Sequence, residues 1–98
     1  MLKKTYTKTG KSCRVTFKLA PETEVENASL LGEHNEWDAE AHPMKKLKDG
    51  SFSVTVSLPA GSEYRFRYLL DGESWVNDDE PDDEVWNRFG TKDCVVAV

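Results

Sequence analysis

The chain has 98 residues, a mass of 11.1 kDa and a formal net charge of −5, which allows one domain with one core but no deep cleft between two lobes. Its three Trp, three Tyr and four Phe argue against disorder, because disordered chains are poor in aromatic residues. A pI of about 5.0 implies an acidic surface that repels phosphate backbones, so nucleic-acid binding is not expected.

The N-terminal residues are polar and include four lysines within positions 1–11. No apolar run follows them, so there is no sign of a signal peptide. No stretch approaches the ~18 apolar residues of a membrane span. We therefore expect a cytoplasmic protein with no membrane partner. Polar ends of domains often fray, so the prediction is a flexible segment over residues 1–11 and a single domain over 12–98.

Alternation of apolar and polar residues dominates the rest of the chain and is typical of strands with one buried face. In residues 64–70, for example, Phe66 and Tyr68 face one way and Arg67 the other. Turn signals such as Asp71-Gly72 separate these segments. The predicted strands cover residues 13–19, 28–32, 51–58, 64–70, 74–76 and 94–98. Short strands between turns predict an all-β fold, an antiparallel β-sandwich.

Catalytic motifs are missing from the sequence. There is no nucleophile elbow, no Gly-rich phosphate loop and no paired-His metal motif. His34 and His42 are expected to be exposed loop residues. A glycosidase needs two carboxylates at a defined separation across a cleft, and the acidic residues here lie in predicted loops with no evident cleft. A small hydrolase is therefore disfavoured.

Metal and cofactor sites are not expected either. Cys13 and Cys94 lack a zinc spacing and are interpreted as reduced structural residues, although they could pair if the first and last strands are neighbours. Residues 78–84 hold six carboxylates in seven positions. The run lacks the spacing and central Gly of an EF-hand, so it is interpreted as a solvated acidic loop.

Carbohydrate binding fits the exposed chemistry better. A pyranose ring has an apolar C–H face that suits an aromatic ring and a hydroxyl rim that suits Arg or side-chain oxygens. Trp37 lies in a polar loop and Trp75 follows the Asp71-Gly72 turn, while Arg67 points away from the predicted core face. From these residues alone, two interpretations of the tryptophans remain: they are partly buried packing residues, or they form a binding platform.

The same residues resemble family 48 carbohydrate-binding modules, the family of the glycogen-binding domain of the AMP-activated protein kinase β subunit and of the N-terminal domains of isoamylases and branching enzymes. The resemblance covers residues 12–98. Residues 32–37 are similar to the family's G-x-F-N-x-W loop, and residues 64–72 to its Y-x-(F/Y)-(K/R)-(F/Y)-x-(V/L)-D-G strand and turn. Further matching motifs are Leu58-Pro59-Ala60-Gly61 and Phe89-Gly90-Thr91.

The resemblance implies an immunoglobulin-like antiparallel β-sandwich and a specific set of site residues. It implies that Trp37 and Trp75 stack on glucose units, that Arg67 binds hydroxyls, and that a bulky apolar residue projects beside the sugar. The implied carbohydrate-binding residues are Trp37, Arg67, Trp75, Phe89, Thr91 and Asp93. Asp93 stands where the family has Asn, and a carboxylate only accepts hydrogen bonds whereas Asn also donates them.

The implied function is non-catalytic binding of an α-glucan such as glycogen, starch or a maltooligosaccharide. His34 stands where the family commonly has Phe, which we expect to alter packing under the loop more than sugar contact. Trp86 has no counterpart in the motif. Two interpretations of this residue remain: it packs against the fold, or it lies at the rim of the site. The alternative function is a protein-interaction module that docks on a separately encoded carbohydrate-active enzyme or kinase.

Overall fold

Two antiparallel sheets face each other in the computed structural model, which describes residues 1–21, 24–38 and 40–98. The strands of this part of the chain are β1 (Leu2–Tyr6), β2 (Ser12–Leu19), β3 (Ala28–Gly32), β4 (Lys45–Lys46), β5 (Phe52–Pro59), β6 (Glu63–Leu70), β7 (Ser74–Val76), β8 (Asp83–Trp86) and β9 (Lys92–Ala97). The first sheet has the order β1-β2-β5-β4. The second has the order β3-β6-β9-β8, and β7 also pairs with β6.

The core lies between the sheets and is built by the alternation seen in the sequence. On β2 the residues Val15 and Phe17 are fully buried, and on β6 the same is true of Phe66 and Tyr68. The rings of Phe17 and Phe66 meet edge to face across the two sheets, with centroids 5.0 Å apart, a geometry that adds to the stabilisation from burial. The predicted immunoglobulin-like antiparallel β-sandwich is confirmed.

Three strands of the described residues were not predicted, and none of them holds a buried residue. The segment over residues 1–11, which the composition predicts to be flexible, contains β1, and this strand pairs with β2 from Leu2↔Phe17 to Tyr6↔Cys13. Strands β1, β4 and β8 each lie at the end of a sheet. An edge strand needs a partner on one side only and little burial, so its sequence need not alternate.

The acidic run is part of the fold, which corrects its interpretation as a solvated loop. The side chain of Asp78 is fully buried, where its Oδ2 accepts a hydrogen bond from the Tyr68 hydroxyl at 2.6 Å and its Oδ1 accepts one from the Met1 nitrogen at 2.5 Å. Asp82 accepts hydrogen bonds from Lys4 Nζ at 2.6 Å and from the Ala97 backbone N–H at 2.7 Å. These carboxylates therefore join the first sheet to the second.

The Tyr68–Asp78 pair is held in its native protonation state by its surroundings. Burial, reinforced by the hydrogen bond to Asp78, raises the pKa of Tyr68 far above its ordinary value. Burial opposes the charged form of Asp78, but the hydrogen bonds from Met1 and Tyr68 outweigh it, so the pKa of Asp78 is lowered. A neutral phenol thus donates to an ionised carboxylate, which is a charge-assisted hydrogen bond.

Both cysteines are buried free thiols, Cys13 on β2 and Cys94 on β9. Burial raises the pKa of the Cys94 thiol to about 11, which keeps it protonated and unreactive at neutral pH. Within the described ranges, no helix is long and apolar enough to cross a membrane.

Replacement of Tyr68 by Phe removes the buried donor to Asp78 while keeping the ring. We expect Tyr68→Phe to lower the free energy of unfolding by about 1–3 kcal/mol, because the carboxylate loses a partner that water cannot replace. The matched control is Tyr64→Phe, whose hydroxyl makes an exposed 3.4 Å contact to the Pro59 carbonyl, and which should change stability by less than about 0.5 kcal/mol. Urea unfolding followed by circular dichroism measures both, and equal effects of the two variants would contradict the account.

Candidate functional site

An open groove of about 770 Å³ lies on the second sheet, on the face opposite the core. Strand β6 supplies its floor, because the alternation that buries Phe66 and Tyr68 turns Arg65 and Arg67 outward. All six residues of the sequence prediction line this groove. Its lining residues are Glu33, Trp37, Arg65, Arg67, Trp75, Asn87, Arg88, Phe89, Thr91 and Asp93.

The loop that carries Trp37 is fixed by a close backbone approach at Gly32. This glycine has extended backbone, but a Cβ on it would lie 2.4 Å from the Arg65 carbonyl oxygen of β6. Glycine is therefore required here by space, since β3 and β6 pair at this point. The Trp37 N–H donates to the Gly32 carbonyl at 2.9 Å, which closes the loop and leaves the side chain 36% exposed.

Asn35 stabilises the same loop from inside. Its Oδ1 accepts from the Gly32 N–H at 3.0 Å, and its Nδ2 donates to the Leu30 carbonyl at 2.9 Å. The single 3₁₀ turn Glu33–Asn35 is followed by positive φ angles of 56° at Glu36 and 58° at Trp37. Such left-handed backbone is unfavourable for side chains other than Asn, Asp or Gly. The loop geometry that presents the indole is thus held by the Asn35 hydrogen bonds.

His34 lies beneath this loop rather than in solvent, which corrects the expectation of two exposed histidines. Its ring stacks on Phe17 at 6.3 Å and on His42 at 5.2 Å. Within the described part of the chain, both ring nitrogens are buried without a hydrogen-bond partner. Burial, with a smaller contribution from His42, lowers the pKa of His34 to about 4. His42 is half-buried, with its Nδ1 2.9 Å from Asn35 Nδ2.

Trp75 and Arg67 form the second part of the groove. Strand β7 pairs with β6 at Leu69↔Trp75, and the indole is 45% exposed. The guanidinium carbon of Arg67 lies 5.6 Å from the Trp75 ring centroid, within range of a cation–π interaction. Arg67 Nε donates to Asn77 Oδ1 at 2.7 Å, and Asn77 in turn donates to the Lys92 carbonyl at 2.9 Å. The guanidinium is therefore positioned before any ligand arrives.

The third part of the groove is the turn between β8 and β9, which is organised by Asn87. Its Oδ1 accepts from the Phe89 N–H at 2.9 Å and the Thr91 N–H at 3.2 Å. Its Nδ2 lies within hydrogen-bond distance of Thr91 Oγ1 at 2.8 Å and of Asp93 Oδ1 at 3.1 Å. Phe89 projects from this turn with 76% exposure, whereas Asp93 is buried, with 7% exposure.

Asn87 was missed by sequence reasoning. The available signal was an Asn two positions ahead of a Phe-Gly step, since Asn side chains commonly bond the backbone two residues on.

Trp86 is not among the groove-lining residues. It is 69% exposed, with Lys92 Nζ 5.0 Å from its ring centroid, so it neither packs in the core nor forms part of this site.

The described residues contain no group of three or more His, Cys, Asp or Glu side chains arranged to hold a metal ion. The chain is thus an all-β sandwich that carries a groove of aromatic rings and hydrogen-bonding side chains on one sheet face. The chain belongs to carbohydrate-binding module family 48, because the family described as "Carbohydrate-binding module 48 (Isoamylase N-terminal domain)" matches residues 7–89.

Relatives are found within larger enzymes. The chain is 35% identical over 76 residues to the chloroplastic/amyloplastic 1,4-alpha-glucan-branching enzyme of Oryza sativa subsp. japonica, a match to 70% of this chain and 9% of that enzyme. It is 41% identical over 39 residues to the 1,4-alpha-glucan branching enzymes of Photobacterium profundum and Vibrio cholerae, in each case 39% of this chain and 5% of the enzyme. The chain therefore spans less than a tenth of each of these relatives.

Replacement of His34 by Phe tests the packing beneath the Trp37 loop. In the unfolded chain the imidazole takes up a proton near its ordinary pKa of 6.5, but in the folded chain only near 4. The wild type should therefore lose stability as the pH falls from about 6.5 towards 4, since the unfolded state binds the proton first. Above pH 7 the variant should be more stable by about 1–3 kcal/mol, because it no longer buries unpaired nitrogens.

The measurement is urea unfolding of both proteins at pH 7.5, 6.0 and 4.5. The stability advantage of His34→Phe should grow at each step towards acid, and the acidic groups shared by the two proteins cancel in this difference. Parallel pH profiles would show that His34 does not titrate differently on folding.

Proposed function

We propose that this chain binds α-glucan without catalysing a reaction, and that the ligand lies in the groove on the second sheet. The single observation that carries the proposal is the presence of two partly exposed indoles, Trp37 and Trp75, in one groove with Arg67. The aromatic rings offer surfaces for the C–H faces of glucose units, and the guanidinium offers donors for hydroxyls.

In this proposal the polar side chains of the groove bond the ligand's hydroxyls. Arg67 already uses Nε to bond Asn77, so its terminal nitrogens are the donors for sugar hydroxyls. Asp93 has a carboxylate that can only accept, and one of its oxygens is bonded by Asn87. The Thr91 hydroxyl can donate or accept. Asp93 stands where the family has Asn, so the site lacks an amide at that position. In this proposal the neighbouring Asn87 supplies an amide instead.

Family membership and the identity of the relatives support glucan as the carbohydrate. The matched segment is a small part of enzymes whose names refer to 1,4-alpha-glucan. A binding role accords with the groove itself, which is lined by aromatic and arginine side chains and lies on a sheet surface. An exposed site of this kind gains little per contact, so we expect dissociation constants on the order of 10–1000 μM for a short oligosaccharide.

A second proposed function is docking on a separately encoded carbohydrate-active enzyme. The observation that favours it is that the relatives carry the matching segment inside much longer enzymes. Copurification of a partner enzyme together with no response to any glucan would select this function over the first.

Removal of either groove indole should abolish most glucan binding. Trp37→Ala and Trp75→Ala should each weaken maltoheptaose or β-cyclodextrin binding by at least about ten-fold, since buried aromatic anchors dominate such contacts. Trp86→Ala is the matched control, because this indole is 69% exposed and does not line the groove. Titrations followed by amide chemical shifts measure all four proteins, with circular dichroism to check folding. Loss of binding in the Trp86 variant alone would contradict the proposal, and so would no response of the wild type at millimolar ligand.

Replacement of Asn87 by Ala tests how the β8–β9 turn is held. The variant loses the acceptor for the Phe89 and Thr91 backbone amides and the donor to Asp93. We expect a drop in maltoheptaose affinity of several-fold, which corresponds to about 1 kcal/mol. Asn27→Ala is the control, since Asn27 is exposed and outside the groove. Isothermal titration gives the affinities. An Asn87 variant that binds as tightly as wild type would show that this network does not position the site.

A further inference from the structure

The groove has a charge opposite to that of the chain. Arginine occurs at four positions of the sequence, and three of them, Arg65, Arg67 and Arg88, line the groove. Among the acidic residues that the structure describes, Glu33 and Asp93 are the two that line the groove. The groove is therefore a basic patch on a protein whose formal net charge is −5.

The two groove carboxylates are already engaged by protein donors. Glu33 Oε1 accepts the Arg65 backbone N–H at 2.7 Å. Asp93 Oδ1 lies 3.1 Å from Asn87 Nδ2, and the Asp93 side chain is 10% exposed. In each of these two acids, one carboxylate oxygen is therefore already bonded to a protein donor.

The terminal nitrogens of the three guanidinium groups, by contrast, make no hydrogen bond within the part of the chain that the structure describes. The Arg65 Nη1 to Asp93 Oδ2 distance is 3.9 Å, which is too long for a hydrogen bond. Arg88 is exposed, with its guanidinium carbon 5.0 Å from the Phe89 ring centroid. Arg67 uses its Nε for Asn77. Each guanidinium thus keeps terminal N–H groups that can serve a ligand.

A neutral glucan does not account for three guanidinium groups in one groove. Hydroxyls need a few donors and acceptors of mixed type, and one arginine beside Thr91 and Asp93 can supply them. Planar guanidinium groups are matched instead to phosphate or carboxylate oxygens, which they bind through paired hydrogen bonds.

From this charge distribution we infer that the groove prefers an α-glucan that carries a phosphate monoester. This inference rests on the proposed glucan-binding function and specifies its ligand. The two indoles hold the glucose units, and Arg65 and Arg88 bind the phosphate oxygens. A phosphate monoester carries a charge of about −1.5 to −2 at pH 7, which opposes the positive groove charge.

The experiment compares three probes by isothermal titration in a phosphate-free buffer: maltoheptaose, maltoheptaose with one 6-phosphate, and inorganic phosphate. The phosphorylated oligosaccharide should bind at least about ten-fold more tightly than the neutral one, the effect of one added charge-assisted contact. This ratio should fall as salt rises from 50 to 500 mM (roughly a three-fold change in screening length) because the gain is electrostatic.

The variants test which arginines produce the preference. The double variant Arg65→Gln/Arg88→Gln should bring the ratio of the two affinities close to one. Arg14→Gln is the matched control, since Arg14 is the one arginine outside the groove-lining set and lies exposed on β2 of the other sheet. It should leave the ratio unchanged.

The outcomes separate this inference from the function it rests on. Equal binding of neutral and phosphorylated maltoheptaose would overturn the phosphate preference and leave the glucan-binding proposal intact. Inorganic phosphate that binds as tightly as the phosphorylated oligosaccharide would overturn it as well, because the groove would then recognise the anion alone. Failure of both oligosaccharides to bind would overturn the glucan-binding proposal together with this inference.

Discussion

The contact on which the site depends is the close packing of Gly32 against the backbone of β6. A Cβ at this position would fall 2.4 Å from the Arg65 carbonyl oxygen. The β3–β6 pairing therefore runs undisturbed to its last residue, Gly32↔Phe66. The chain can then turn at once into the loop that displays Trp37 beside the outward-facing arginines of β6. A larger residue would separate the loop from the strand, and the two halves of the groove would no longer be held together.

Strand β6 links stability to binding through its two faces. Phe66 and Tyr68 point into the core, where Tyr68 bonds the buried Asp78. Arg65 and Arg67 alternate with these core residues along the strand and point into the groove. Because alternation fixes which residues lie on each face, a shift of one residue in register would exchange core and site. The buried Tyr68–Asp78 hydrogen bond penalises such a shift, since it would leave a charge in the core without its donor.

The sequence predicted the parts of the molecule that follow local rules. Alternation, apolar runs and turn signals together predicted β2, β3, β5, β6, β7 and β9. The motif resemblance identified six residues that the structure brings into one groove. The polar edge strands β1 and β8 were missed, because their stability comes from pairing with a neighbour and not from an apolar face.

Asp78 and His34 were misjudged for a common reason, which is that a partner distant in sequence decides the environment of the residue. In the sequence Asp78 is one acid in an acidic run, but in the structure it is a buried carboxylate that accepts hydrogen bonds from Tyr68 and Met1. The sequence around His34 predicts an exposed loop residue, but its ring packs on Phe17 and His42 and its ring nitrogens are buried. Asn87 is different, because its partners Phe89, Thr91 and Asp93 all lie within six residues of it.

The central claim is that both indoles contact the same glucan chain. Intermolecular nuclear Overhauser effects between maltoheptaose and the protein test it most directly, because they report ring protons within about 5 Å of sugar C–H groups, the scale of aromatic contact distances. If both indoles bind one chain, nuclear Overhauser effects are expected from the indole protons of Trp37 and of Trp75 to glucose units of one bound oligosaccharide. Effects from Trp86 alone, or from one groove indole without the other, would contradict it.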